Sequence, residues 1–215
     1  MKNNPPPSIP RVIVIVPAFN EENAVGNVIR DIPTALVQEI VVVNNNSRDQ
    51  TTQVATAAGA TVLQEPRQGY GFACLAGIAY VRRMPSPPDI IIFLDADYSD
   101  YPDEIPRLLD PILTGGYDLV IGSRALGNRQ RGSMTPQQVF GNWLATTLLR
   151  WMYGVRYTDL GPFRAIRFST LLALDMRDQT YGWTVEMQLK AAKLGFKTTE
   201  VPVSYRQRIG FSKIS

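Results

Sequence analysis

The chain has 215 residues, enough for one domain with a sizeable core, and its 45% hydrophobic and 19% charged composition is that of an ordinary globular protein. It contains no histidine and a single cysteine, Cys74, which excludes an intrachain disulfide, zinc sites built on cysteine clusters or histidine, and Ser–His or Cys–His nucleophiles. Chemistry is therefore left to carboxylates, Lys or Arg and hydroxyls, with a hard metal ion as a further option.

The net charge of +3 conceals an asymmetry: residues 1–120 hold 8 Lys+Arg and 14 Asp+Glu, net −6, whereas residues 121–215 hold 14 and 5, net +9. An acidic half facing a basic half suits a phosphorylated ligand held between them, and no nucleic-acid partner is expected; two solvated faces of unlike charge is the plainer alternative. Met1 to Pro10 is a polar, Pro-rich, flexible tail without the apolar stretch of a secretory signal. No run approaches the roughly 18 apolar residues of a membrane span, so the expected location is cytoplasmic.

In chain order, Arg11 to Val16 is a β-branched run and reads as a central parallel strand. Pro17 stops it, and a helix is expected from Glu22 to Asp31 with Asn20 as its N-cap. Glu39 to Val43 is a second strand, followed by the polar turn Asn44 to Ser47 and a helix to about Ala58 capped by Ser47 or Asp49. Thr61 to Gln64 is a third strand, and Arg67 to Gly71 opens a helix reaching Arg83. Ile90 to Phe93 is a strand buried on both faces, and the chain leaving it carries Asp95 and Asp97. Strands alternating with helices indicate a mostly parallel, Rossmann-like α/β sheet in a single domain over residues 1–215.

Beyond it, Pro102 to Leu113 reads as a helix and Tyr117 to Ile121 as a strand. Residues 125–136 form a long basic loop, expected to be mobile and to close over ligand. Val139, Phe140, Trp143, Leu144, Leu148, Trp151 and Met152 make an apolar stripe on a helix over 137–153, read as a core face, with a membrane-surface face as the alternative. A helix over 184–194 and a strand over 200–205 close the chain.

Ligands of open α/β sheets bind beyond the carboxyl ends of the strands, and the unusual polar clusters here fall at such ends: Pro17 to Glu22, Asn44 to Ser47, Arg67 to Gly71, Asp95 to Ser99 and Gly122 to Arg124. Paired carboxylates leaving a central strand fit a divalent cation, although an acidic turn is the simpler reading of Asp95 and Asp97 taken alone. There is no GxGxxG or GxxxxGK[ST] pattern, so dinucleotide and P-loop sites are not indicated.

PAFNEE, NNNSRDQT, RQGYGFACLAGI and LDADYSDYPDEIP, in that order, resemble the inverting GT-A nucleotide-sugar glycosyltransferases of family 2. GSR, TDLGPFRAIR and the stretch from GWTVEMQLK to the terminal GFSKIS are similar to its polyprenyl-phosphate branch, the dolichyl-phosphate mannose synthases and glucosyltransferases. The resemblance implies a GT-A fold and a hexosyl transfer from a UDP- or GDP-linked sugar to a polyprenyl (dolichyl or undecaprenyl) phosphate. Such an enzyme would work peripherally at the cytoplasmic membrane face, with a membrane partner protein as a further expectation.

The resemblance also assigns roles. Asp95 and Asp97, with Ser99 completing the sphere, would hold Mg²⁺ or Mn²⁺ against the diphosphate, flanking Ala96. Pro17, Ala18, Glu21, Asn44 and Asn45 would surround base and ribose, and Gln68, Gly69, Tyr70 and Gly71 would approach the nucleotide. Asp159 is the first choice for a base or positioning group, with Glu186 the second. Arg124, Arg164, Arg206, Arg208 and Lys213 are the phosphate-clamping candidates. A sugar-phosphate nucleotidyltransferase and a non-catalytic nucleotide-sugar binding module are the alternatives.

Overall fold

The β-branched runs need partners on both faces, and the fold supplies them. In the computed structural model, which describes residues 10–210, strands β1 (Val12–Ala18), β2 (Glu39–Asn44), β3 (Thr61–Gln64), β4 (Ile90–Phe93), β5 (Leu119–Ser123), β6 (Arg164–Arg167) and β7 (Thr198–Pro202) form one sheet in the order β3-β2-β1-β4-β6-β5-β7. β1, β2, β3 and β4 pair in parallel, as do β5 and β7. β6 runs antiparallel between β4 and β5. The chain builds outward from β1 to β3 on one side and then returns to place β4 on the other. The crevice beyond β1 and β4 is thus a topological switch point, where open α/β sheets bind ligands.

Alternation along the strands divides the core into two layers. Val12, Val14 and Val16 of β1 pack with helices α1 (Val25–Asp31) and α4 (Ile105–Leu113). Ile13 and Ile15 face the opposite layer, with α3 (Tyr70–Val81), α6 (Phe168–Leu174) and α7 (Trp183–Lys193). A short helix α2 (Thr51–Ala57) precedes β3, and α5 (Pro136–Tyr153) follows β5. Among the described residues no helix is long and apolar enough to cross a membrane.

Several expectations need correction. Asn20 does not cap α1: it sits at φ 53, donates its N–H to Ser47 Oγ and accepts from the Arg48 N–H, so it ties two loops together while the helix starts at Val25. The strand expected over 200–205 lies at Thr198–Pro202, and α6 was not anticipated. The largest difference concerns α5. Its packed side is a narrow row, Asn142, Thr146, Leu149 and Tyr153, whereas the apolar stripe points outward: Phe140 is 60% exposed, Trp143 58% and Trp151 83%. The core-face reading of that stripe is therefore overturned. Its regular periodicity marks the helix correctly but not which side the protein covers.

The loop from Ala125 to Thr135 lies against the carboxy-terminal segment. Gln130 N–H donates to Tyr205 O, Tyr205 N–H to Asn128 O, and Gln207 N–H to Gln130 Oε1.

α3 approaches β1 through Gly77, where an added Cβ would stand 2.7 Å from Ile15 Cγ2. Gly77→Val is expected to cost about 1–3 kcal/mol through overpacking, read as a lowered urea midpoint. An unchanged midpoint would mean the helix has room to move off the sheet.

Candidate functional site

A cleft of about 370 Å³ opens at the switch point. β1 delivers Pro17 and Ala18, the β2 exit delivers Asn45, the start of α3 delivers Gln68 to Tyr70, and the chain leaving β4 delivers Asp95 to Asp97. Arg208, from the carboxy-terminal arm, closes the remaining side, with Glu21 beside it.

The acidic floor is unevenly compensated. Asp97 is 4% exposed; its Oδ1 accepts from the Ser99 N–H and hydroxyl, and its Oδ2 pairs with Arg208 Nη2 at 2.7 Å. The same nitrogen stands 3.5 Å from Glu21 Oε1. Asp95 Oδ1 and the Tyr70 hydroxyl are both buried and neither makes a hydrogen bond of good geometry among the described residues, although they face each other closely enough for the hydroxyl to ease the Asp95 charge. Burial, with the charge of Asp97 adding to it, pushes the Asp95 carboxyl up to about 7. Asp100, which was not singled out from the sequence, is 2% exposed with both carboxylate oxygens unpartnered among the described residues. Burial and the negative charge of Asp95 hold it well above the usual carboxylate range.

Among the described residues no three His, Cys, Asp or Glu side chains gather as a metal cage. Asp95 and Asp97 instead present hard oxygens, one of them unpartnered, beside an open cleft. That donor set fits Mg²⁺ or Mn²⁺ whose remaining ligands come from water and a bound phosphate. Ser99 fits less well as a ligand, because its hydroxyl is turned to Asp97.

A second polar centre lies behind the first. Asp159, 1% exposed, forms a forked pair with Arg124: Nη2 to Oδ1 at 2.6 Å, Nε to Oδ2 at 2.8 Å, and the Arg124 backbone N–H to Oδ2 at 2.7 Å. Burial works against the Arg124 charge, but Asp159 outweighs it and holds the guanidinium above its ordinary pKa. The Arg124 guanidinium also lies 5.0 Å from the Tyr205 ring centre. Asp159 is thus committed to orienting Arg124. The charges of Asp95 and Asp97 on one side, and of Arg124 and Asp159 on the other, all act on Asp100, so the two centres form one electrostatic unit.

Other expected site residues stand elsewhere. Asn44 is turned away from the cleft, its amide spent on Thr52, Gln64 and the Ser47 N–H. Asn45 braces the cleft wall by donating to Arg67 O and accepting from the Gly69 N–H. Gly71 abuts backbone, not ligand space: an added Cβ would meet Asp178 O at 2.1 Å. Arg164 is not a phosphate clamp; it is fully buried, donates to the carbonyls of Leu160, Gly161 and Thr184, and burial lowers it to about 10.

Glu186 accepts from the N–H groups of Arg177 and Asp178 and pairs with Lys190, so it holds a turn. Burial raises its pKa, but those partners outweigh it and leave the carboxyl below its ordinary value. Arg206 lies 3.4 Å from the Tyr98 ring centre and 4.1 Å from that of Tyr101, and donates to Tyr98 O and Asp100 O. It pins the arm to the acidic turn instead of clamping phosphate. Lys213 lies outside the described residues. Thr180 and Tyr181 line the cleft without any local signal in the sequence, since only the sheet-crossing return of the chain brings them there.

The fold is that of the GT-A glycosyltransferases. Residues 13–174 match the family described as Glycosyl transferase family 2. An uncharacterised glycosyltransferase of Mycobacterium tuberculosis is 34% identical over 212 residues, covering 95% of this chain and 89% of the relative. The undecaprenyl-phosphate mannosyltransferase of Micrococcus luteus is 31% identical over 217 residues, covering 95% and 88%. Glucosyl-3-phosphoglycerate synthase from Mycobacterium tuberculosis, solved with Mg²⁺ and uridine diphosphate, superimposes with a TM-score of 0.73 at 26% identity, covering 95% of this chain and 72% of that one. Its complex with phosphoglyceric acid gives the same TM-score and identity, covering 73% of that chain. The chain belongs to glycosyl transferase family 2 and is a glycosyltransferase. That membership sets aside the nucleotidyltransferase and the non-catalytic binding module.

Removing one partner of a buried ion pair strands the other charge. Arg124→Ala is expected to lower stability by about 3–5 kcal/mol, measured by chemical denaturation. A loss below about 1 kcal/mol would mean the pair is solvated in solution.

Proposed function

We propose that the protein is a cation-dependent inverting hexosyltransferase that moves a sugar from a UDP- or GDP-linked donor to a polyprenyl phosphate at the cytoplasmic membrane face. The observation that carries this is the unpartnered carboxylate oxygen of Asp95, buried on the floor of a cleft whose opposite wall is the basic arm. The relatives support it: one is named for transfer to undecaprenyl phosphate, and a neighbour of the same fold was solved with Mg²⁺ and uridine diphosphate.

In this reading Pro17, Ala18, Asn45 and Gln68 to Tyr70 receive the nucleoside, and Asp95 and Asp97 hold Mg²⁺ or Mn²⁺. When bound, the cation supplies positive charge that offsets the charge developing on the leaving diphosphate. Arg124, whose Nε and Nη2 edge is taken by Asp159, turns its remaining Nη1 side to the acceptor phosphate. An acceptor phosphate oxygen attacks the anomeric carbon as the bond to the diphosphate breaks, and the diphosphate departs with the electron pair, inverting the centre. Because that oxygen is already ionised near neutral pH, no strong base is required, which agrees with an Asp159 wholly committed to Arg124. The loop over 125–136 closes on the acceptor side.

α5 supplies the membrane contact. Its outward stripe places Phe140, Trp143 and Trp151 in solvent, and between Ala125 and Thr158 the sequence has four arginines and no Asp or Glu. Aromatic side chains among arginines suit the interface of an anionic bilayer. The inner side of α5 holds the acceptor turn directly, since Asn142 donates to Thr158 O and accepts from the Leu160 N–H. A second acceptor reading has its own support: the neighbour solved with phosphoglyceric acid points to a small phosphorylated acid, which Arg124 would meet in the same way.

Label transfer from UDP- and GDP-sugars to polyprenyl phosphate and to phosphoglyceric acid tests both. Transfer to the lipid is expected, reduced on the order of a hundredfold by Asp95→Ala or Asp97→Ala. Full activity of either variant would remove the cation role, and label only in phosphoglyceric acid would establish the second reading. The Trp143→Ser/Trp151→Ser double variant is expected to bind phosphatidylglycerol-containing vesicles about tenfold more weakly than the parent in co-sedimentation. Equal binding would place the membrane contact elsewhere.

A further inference from the structure

We infer that Arg208 is a built-in counter-cation for the acidic floor, one that leaves Asp97 when a divalent cation arrives and then turns to the diphosphate. This rests on reading the cleft as a cation and diphosphate site. Arg208 Nη2 lies 2.7 Å from Asp97 Oδ2 and 3.5 Å from Glu21 Oε1. Those oxygens surround the place where a positive charge is needed once Asp97 is buried. A cation taking Asp97 Oδ2 as a ligand cannot share it with a guanidinium at that distance, because both positive centres would compete for the same lone pairs.

The arm is arranged so that this exchange is local. Upstream of Arg208, the arm is fastened by Arg206, whose N–H donates to Ser99 O and whose guanidinium is stacked on Tyr98 and Tyr101. Downstream, the Ile209 N–H donates to Asp97 O, and Gly210 follows at φ +87, a conformation that other residues rarely adopt. Between these two backbone anchors only the Arg208 side chain needs to swing. Its Nε is buried without a hydrogen-bond partner among the described residues, so the pair with Asp97 leaves part of the guanidinium unsatisfied. Arg208 already lines the cleft, and a diphosphate bound there offers it the oxygens that the cation has taken.

The consequence is a coupling between ligands. While Arg208 occupies Asp97, a cation alone binds against competition; with a nucleoside diphosphate present, the displaced guanidinium gains a new partner and the competition disappears. Donor and cation then bind together more tightly than either does alone.

Isothermal titration of the full chain tests this, using Mn²⁺ alone and Mn²⁺ with UDP or GDP, on the parent, Arg208→Gln and Arg208→Lys. Circular dichroism serves as the folding control, and the Mn²⁺ electron paramagnetic resonance signal gives a second readout of bound metal. Arg208→Gln is expected to bind Mn²⁺ alone about five- to tenfold more tightly than the parent, and the nucleoside diphosphate about tenfold more weakly in the presence of Mn²⁺. Arg208→Lys, which keeps the charge, is expected to stay close to the parent for Mn²⁺. A side chain that merely supports the fold would weaken both ligands when removed, so loss of Mn²⁺ affinity in Arg208→Gln overturns the exchange. Unchanged Mn²⁺ affinity in Arg208→Gln also overturns it while leaving the cation site intact. Absence of Mn²⁺ binding in parent and variants, with and without nucleotide, overturns the exchange together with the reading of the cleft.

Discussion

Burying carboxylates at the end of a central strand is the constraint on which the rest of this site depends. An ionised carboxylate taken out of water either finds positive charge or gives up its own. The protein shows both responses side by side: Asp97 is paired with Arg208, while Asp95 and Asp100, lacking such a partner, have their carboxyl groups pushed toward the neutral form. The acidic first half of the chain is tolerable here because the basic second half folds back over it. Arg206 and Arg208 bond to the turn that follows β4 from the carboxy-terminal arm, and the charge of Arg124 acts on Asp100 in the same turn.

This arrangement divides labour among the arginines according to what each has already bonded. Arg164 is consumed by backbone carbonyls and organises the turn that leads into β6. Arg206 is consumed by two tyrosine rings and fixes the arm. Arg124 is held in one orientation by the forked pair with Asp159. Among the described residues Arg208 pairs with the carboxylates of Asp97 and Glu21 at the cleft. Residue type makes the four equivalent; their hydrogen bonds do not.

That distinction marks how far the sequence could be read. The parallel strands were legible because β-branched runs separated by helical stretches leave few alternatives, and the ordered polar clusters at strand ends located the cleft and the family. The antiparallel insertion of β6 was hidden, since Ala165 and Ile166 look the same whichever way the strand runs. The apolar stripe of α5 gave the helix but not its outward orientation, because periodicity records that one side is apolar and not what covers it. Asn44 and Glu186 looked like site residues by position, but short-range hydrogen bonds turn them to loop bracing. Thr180 and Tyr181 reach the cleft only through tertiary return of the chain.

On the proposed function, the cleft floor and its basic wall together receive a nucleotide-diphosphate sugar with a divalent cation. The thermal midpoint of the protein with UDP- and GDP-sugars, each measured with and without Mn²⁺, tests this most directly, because a ligand that binds only the folded state raises the midpoint. A rise is expected for a matching donor when Mn²⁺ is present, and little or none when either is left out. A donor-induced rise of equal size without the cation, or no rise with any donor in its presence, would contradict it.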